Sequence, residues 1–294
     1  ILFLYKGLQE HKPSFVLKLN EIKEFLSFGA YQMGEKSINF FTGQADTIII
    51  GKLLGMENLG LYNLVKQIIE KNVYVLNSII NKVTFPMFSK IQNDEKKLKE
   101  TYLKVLGTLT LIQYPILATQ FFYGYDILLF ILGDKWIGTE ELIKLFAIYS
   151  LFLVYGNPIG TILLSKGKAN WSFYSNIIYF VLYPISIYIF INLYGLNGAL
   201  YGYIYIGLLS MYPYWKLMIS RLINVDFSEY NKYFIIQSLI SFITAFVAYK
   251  ISFVFDIYFM YKFLLYSFSM VILYVLANMI FNREILNTIR RINK

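Results

Sequence analysis

The chain has 294 residues, of which 57% are hydrophobic, 19% aromatic and only 15% charged, with a formal net charge of +9 and a mean hydropathy of +0.52. Such a composition excludes an ordinary soluble domain and points to an all-α polytopic membrane protein. The sequence contains no cysteine, which rules out a disulfide framework, a cysteine-ligated zinc site and a thiol nucleophile within it.

Residues 1–24 carry Lys6, Lys12, Lys18 and Lys23. They are expected to be the cytoplasmic end of a preceding helix and a linker, so that the chain reads as a fragment with an N-terminal part missing. The single histidine, His11, falls in this charged juxtamembrane stretch and reads as a solvated side chain. Eight apolar runs bounded by charge clusters or Gly/Pro/Asn turns follow, near 25–54, 58–88, 102–123, 141–164, 171–193, 197–220, 231–254 and 259–281.

In the first run, Gln32, Glu35, Asn39, Thr42 and Asp46 recur at spacings of three and four, which places them along one face of a membrane-crossing helix. A carboxylate costs several kcal/mol in hydrocarbon unless that face meets protein or water. The face is therefore expected to form a wet seam. The second run answers with Asn63, Gln67, Glu70, Tyr74, Asn77 and Asn81 at the same spacing, flanked by Lys66 and Lys71. Joined by a turn at 55–58, the two helices would be antiparallel, bringing Asp46 and Lys66 to similar depth as an ion pair, with Glu35 and Lys36 near the level of Asn77.

Seven ionisable groups (Glu35, Lys36, Asp46, Lys66, Glu70, Lys71 and Lys82) thus fall within two spans, while the later spans are nearly free of them. Two readings stay open. The charges pair with one another and merely orient two helices, or Lys36, Lys66 and Lys71, with Asn39, Gln67 and Asn77, bind an anionic head group while Glu35, Asp46 or Glu70 exchange a coupling proton or sodium ion.

Further along, Ser89–Lys104 is Lys/Glu-rich and reads as a cytoplasmic connection with helical potential. Tyr123–Glu140 reads as an outer loop with an interfacial apolar run at Ile127–Leu132. Pro86, Pro115, Pro158, Pro184 and Pro213 fall in or near spans and would kink them. Most of the 27 tyrosines and 26 phenylalanines are assigned to lipid contact and interfacial belts. Cations collect in alternate connections, including Lys90, Lys96, Lys97, Lys99, Lys166, Lys168, Lys216, Arg221, Arg283, Arg290, Arg291 and Lys294. The positive-inside rule then places both ends in the cytoplasm. Banded in this way, they are topology determinants and give no nucleic-acid surface. The sequence has no P-loop, no Asp-x-Asp pair and no His pair for zinc, and the expectation is of a non-enzyme without a resident cofactor.

Four motifs carry a family resemblance: Asp46-Thr-Ile-Ile-Ile-Gly-Lys-Leu-Leu-Gly with Leu59-Gly-Leu-Tyr-Asn; Phe85-Pro-Met-Phe-Ser-Lys-Ile-Gln-Asn-Asp-Glu-Lys-Lys-Leu; Gly133-Asp-Lys-Trp; and Gly156-Asn-Pro-Ile-Gly-Thr-Ile-Leu-Leu-Ser-Lys with Ser172-Phe-Tyr-Ser-Asn. In this order the chain resembles the polysaccharide-transport flippases of the multidrug/oligosaccharidyl-lipid/polysaccharide exporter superfamily, in their lipopolysaccharide and colanic acid exporter branch. The resemblance implies a C-terminal lobe of a two-lobe flippase, with a six-helix lobe at 25–222 and two additional helices and a basic cytoplasmic tail at 223–294. It also implies an N-terminal lobe as partner. The cargo it implies is a polyprenyl-diphosphate-linked oligosaccharide moved across the bacterial cytoplasmic membrane, among membrane lipids, for surface polysaccharide export. An ion-coupled multidrug exporter, a membrane-embedded polymerase or glycosyltransferase, and an accessory half-transporter are the competing readings.

Overall fold

The computed structural model describes residues 19–254 and 258–282. His11, Lys6, Lys12, Lys18 and the basic tail residues Arg283, Arg290, Arg291 and Lys294 lie outside the described residues. Among the described residues every regular element is helical: α1 (Leu19–Ile91), α2 (Glu95–Leu132), α3 (Glu140–Ser165), α4 (Ala169–Tyr194), α5 (Gly198–Tyr214), α6 (Ser220–Ile223), α7 (Phe227–Ser252) and α8 (Phe259–Phe281). A π-helical turn, Trp215–Ile219, joins α5 to α6.

Among the described residues, six helical stretches are long and apolar enough to cross a membrane, and two of them, Leu26–Ile91 and Ala169–Ile223, run to 66 and 55 residues. At about 1.5 Å per residue either would overshoot a hydrocarbon core of about 30 Å severalfold. Both fold back on themselves. In α1 the reversal sits at Gly55, with φ 82 and ψ 175, a region where a side chain would strain the backbone. The lysine amine of Lys66 reaches the carbonyl of Gly43 at 3.2 Å, which a straight helix would hold roughly 34 Å away. The second reversal, at Gly195 with φ 62, brings Ser186 Oγ to the Gly202 carbonyl at 3.0 Å. The eight runs read from hydropathy therefore correspond to two arms of α1 (19–54 and 56–91) and to α2, α3, α4, α5 with its extension, α7 and α8.

Helix α2 departs from expectation by running on to Leu132, so that Ile127–Leu132 continues the helix. Gly124, read as part of a loop, lies mid-helix where a Cβ would come within 2.8 Å of the Ile143 side chain. Glycine here allows two helices to approach. The helix ends at Gly133, at φ 79. At the other end the Lys/Glu-rich connection is almost entirely helical. Asp94 caps α2, its Oδ1 accepting from the Lys97 amide at 3.0 Å, as an N-cap carboxylate should.

The larger core joins the second arm of α1 to α2, α3 and α5, around Tyr62, Leu106, Phe146 and Ile162. A smaller cluster of Ala118, Tyr123, Ala245, Ala248, Tyr266 and Met270 fastens α7 and α8 to α2. Polar contacts reinforce that seam. Tyr274 donates to the Leu111 carbonyl at 2.8 Å and meets Gln237 Oε1 at 2.9 Å, while Gln237 Nε2 donates to Asn278 Oδ1 at 2.9 Å.

Candidate functional site

Between the first arm of α1 and helices α3, α4 and α5 lies a cavity of about 1080 Å³. That is slightly above the usual range of small-molecule sites, about 300–1,000 Å³. One wall comes from the α1 hairpin, through Glu35, Lys36, Asn39, Thr42, Tyr74, Asn77, Ser78, Asn81 and Lys82. Helix α3 contributes Asn157 and Thr161 across Gly156 and Gly160, and α4 contributes Asn176. Tyr155, Tyr179, Tyr183, Tyr214 and Tyr230 complete the surround.

Several lining groups are already held. Glu35 Oε1 accepts from Ser172 Oγ at 2.6 Å and from Asn176 Nδ2 at 3.4 Å, tying α1 to α4. Nearby, Gly34 packs onto the Phe173 ring, which a Cβ would meet at 2.6 Å. Thr161 donates to Asn81 Oδ1 at 3.0 Å, and Gln113 Nε2 donates to Asn77 Oδ1 at 2.8 Å from behind the wall. Asn157 Oδ1 is buried with no hydrogen-bond partner. A lining of amides and hydroxyls offers both donors and acceptors, and two lysines against one carboxylate leave the wall with an excess of positive charge.

The predicted site residues divide into three groups. Glu35, Lys36, Asn39 and Asn77 line the cavity together. Asp46 and Lys66 instead face each other across the hairpin at 2.5 Å, with the Asp46 side chain wholly buried and Lys66 about one-fifth exposed. Tyr62 donates to the same oxygen, Asp46 Oδ2, at 2.7 Å. Glu70 is buried one turn beyond Lys66, on the same stripe of the second arm. Gln67 and Lys71 are exposed and lie off the cavity wall. The charged seam thus divides into two stretches: the Asp46–Lys66 ion pair toward the Gly55 end, and a polar face that lines the cavity further along.

Asn157, Thr161, Asn176 and the tyrosines at 155, 179, 183, 214 and 230 were not among the residues expected at the site. For Asn157 and Thr161 the signal was present, since a separation of four puts them on one helical face. Lys82, counted among the seven ionisable groups but not among the expected binding residues, also lines the cavity.

Residues 1–141 match the family described as polysaccharide biosynthesis protein. The chain is 28% identical over 240 residues to the teichuronic acid biosynthesis protein TuaB of Bacillus subtilis (strain 168), covering 82% of this chain and 50% of that protein. It is 27% identical over 230 residues to the lipopolysaccharide biosynthesis protein WzxC of Escherichia coli (strain K12), covering 78% of this chain and 47% of that protein. To the succinoglycan biosynthesis transport protein ExoT of Rhizobium meliloti (strain 1021) it is 22% identical over 130 residues, covering 44% of this chain and 26% of that protein. The chain thus spans about half the length of the first two. No solved structure matches it.

Proposed function

We propose that this chain, a membrane-embedded relative of polysaccharide-biosynthesis proteins, forms one wall of a hydrated passage for the head group of a polyprenyl-diphosphate-linked oligosaccharide crossing a bacterial cytoplasmic membrane. One observation carries the reading: a cavity of about 1080 Å³, walled by amides, hydroxyls and two lysines, inside a bundle of otherwise apolar helices. Each sugar hydroxyl stripped of water without a replacement partner would cost about 2–7 kcal/mol in hydrocarbon, and a diphosphate far more. A polar channel removes most of that cost.

Within this reading Lys36 and Lys82 meet the diphosphate, because Lys66 is already committed to Asp46 and Lys71 lies off the cavity. Asn39, Asn77, Asn157 and Asn176 offer the paired donors and acceptors that sugar hydroxyls need. The tyrosines supply flat faces beside them. Glu35 is the carboxylate placed to exchange a coupling proton or sodium ion, since its occupancy would change its bonds to Ser172 and Asn176 and hence the α1–α4 contact. The role is transport and needs no bond-making residue. The same lysines argue against the multidrug-exporter reading, in which a cationic cargo would call for an acidic wall.

The test is surface-polysaccharide output in a strain carrying Lys36→Ala/Lys82→Ala in the intact protein. Two charge-assisted contacts of about 1.5–3 kcal/mol each predict a loss of well over tenfold at unchanged membrane abundance. Polymer at the level of the unmodified strain would refute the assignment.

A further inference from the structure

Two buried carboxylates share one ammonium toward the turn end of the α1 hairpin. Asp46 and Glu70 are both buried, and Lys66 sits on the arm that carries Glu70. The titratable groups facing Glu70 are Lys66, Tyr62 and Tyr74 on its own arm, Asp46 on the first arm, Tyr149 on α3 and Tyr203 on α5. Lys66 alone among them carries a positive charge, and it is taken by Asp46 Oδ2 at 2.5 Å. With that pair already neutral, an ionised Glu70 would leave a net negative charge in an apolar surround, which is strongly unfavourable. A proton on Glu70 balances the count.

Three features make this arrangement exchangeable. Asp46 keeps other donors if the ammonium leaves, since the Tyr62 hydroxyl reaches Oδ2 and the Thr47 amide reaches Oδ1, each at 2.7 Å. Lys66, four residues before Glu70, shares its helix face and is about one-fifth exposed, so its long side chain has room to swing between the two carboxylates. Glu70 also has a route to water. Tyr74, four residues further on, brings its hydroxyl to the Glu70 carboxyl, and the same side chain is 57% exposed and lines the polar cavity.

We propose that Glu70 is a proton-binding site that reads the cavity and sets the hairpin clamp. With the proton bound, Lys66 stays on Asp46 and the arms are held as they are in this structure. For release, Tyr74 hands its hydroxyl proton to cavity water while its oxygen takes the proton of the Glu70 carboxyl. The phenol is restored, the carboxylate is left ionised and the water carries the proton away. Lys66 then turns to Glu70, giving up both Asp46 Oδ2 and the Gly43 carbonyl, which it reaches at 3.2 Å. The arms, still joined at this level by the bond from Tyr62 to Asp46, loosen. The inference rests on the hairpin geometry and goes beyond the transport reading, because the arm that loosens also carries Glu35, Lys36 and Asn39.

The experiment takes the intact protein in lipid nanodiscs, without cargo, from about pH 5 to about pH 9. Infrared difference spectra should lose the carbonyl stretch of a protonated carboxyl as pH rises, and Glu70→Gln should abolish that loss. Spin labels on Gln44→Cys and Ile68→Cys, exposed positions on the two arms of a sequence without cysteine, report the hairpin. Their distance distribution should be narrow at low pH and gain a longer component, severalfold larger, at high pH. Glu70→Gln should hold the narrow form throughout, and Glu70→Asp should keep the response. A distribution in the labelled parent that ignores pH would overturn the proposal whether or not the Gln variant folds, and so would a response of equal size in Glu70→Gln. Either failure leaves the transport reading standing, since no cargo enters the measurement.

Discussion

Lys66 Nζ lies 2.5 Å from Asp46 Oδ2, joining the two arms of α1 on either side of the Gly55 reversal. The carboxylate is fully buried, and Tyr62 donates to it as well. Removing one member of such a pair strands the other, at a cost of about 3–5 kcal/mol, whereas replacing both by apolar residues of similar volume is often neutral. Lys66→Met should therefore lower thermal stability in detergent sharply, and Asp46→Leu/Lys66→Met should recover most of the loss. A double variant as unstable as the single one would show that the pair is more than a helix clamp.

Gly198 and Gly60 provide a matched contrast. Both are glycines in helices, yet a Cβ at Gly198 would collide with the Phe190 carbonyl at 2.1 Å, while one at Gly60 would meet nothing within 4 Å. Backbone cannot yield as a side chain can. Gly198→Ala should cost at least about 1–3 kcal/mol through overpacking, and Gly60→Ala should gain up to about 1 kcal/mol from helix propensity. Melting curves of the two variants should move in opposite directions.

Gln237 is a buried hub between α7 and α8, bonded to Asn278 and Tyr274. Gln237→Leu leaves both partners short of a contact in an apolar seam. Interhelical hydrogen bonds inside membranes average about 0.6 kcal/mol, so a loss near 1 kcal/mol is expected. It should appear as faster hydrogen exchange along α7 and α8, with the α1–α5 bundle unaffected.

Asp94 is held below the usual carboxylate range, chiefly by the Lys97 amide that it caps and then by the Lys97 side chain. A lowered value in the folded state means that the cap contributes fully above the unfolded Asp value of about 3.9 and is lost as pH falls through the folded one. Hydrogen exchange at the start of α2, corrected for intrinsic rates, should show protection at pH 6 that disappears in strong acid. In Asp94→Asn, whose amide oxygen still caps, that dependence should flatten.

Much of the fold was legible because long apolar runs, glycine reversals and three/four polar spacing are local signals. The α1 hairpin and its ion pair followed from helical rise and the turn at Gly55. Gly124 misled because a glycine that opens a turn and one that lets two helices meet look alike until the neighbour, here Ile143, is known. The division of the seam was equally hidden. Periodicity shows that Gln67, Glu70 and Asn77 share a stripe, but only packing against α3, α4 and α5 decides which part of that stripe meets the cavity. The tyrosines posed the same difficulty, since an aromatic facing lipid and one facing a polar pocket have the same sequence neighbours.

The neutrality of the Lys66–Asp46 pair has an electrical consequence. Any displacement of that pair along the membrane normal carries no net charge, so the transmembrane voltage does no work on it. An unpaired unit charge at Lys36 or Lys82 would instead feel about 2.3 kcal/mol per 100 mV. Voltage can therefore act on the open end of the hairpin while leaving the clamped pair itself electrically silent.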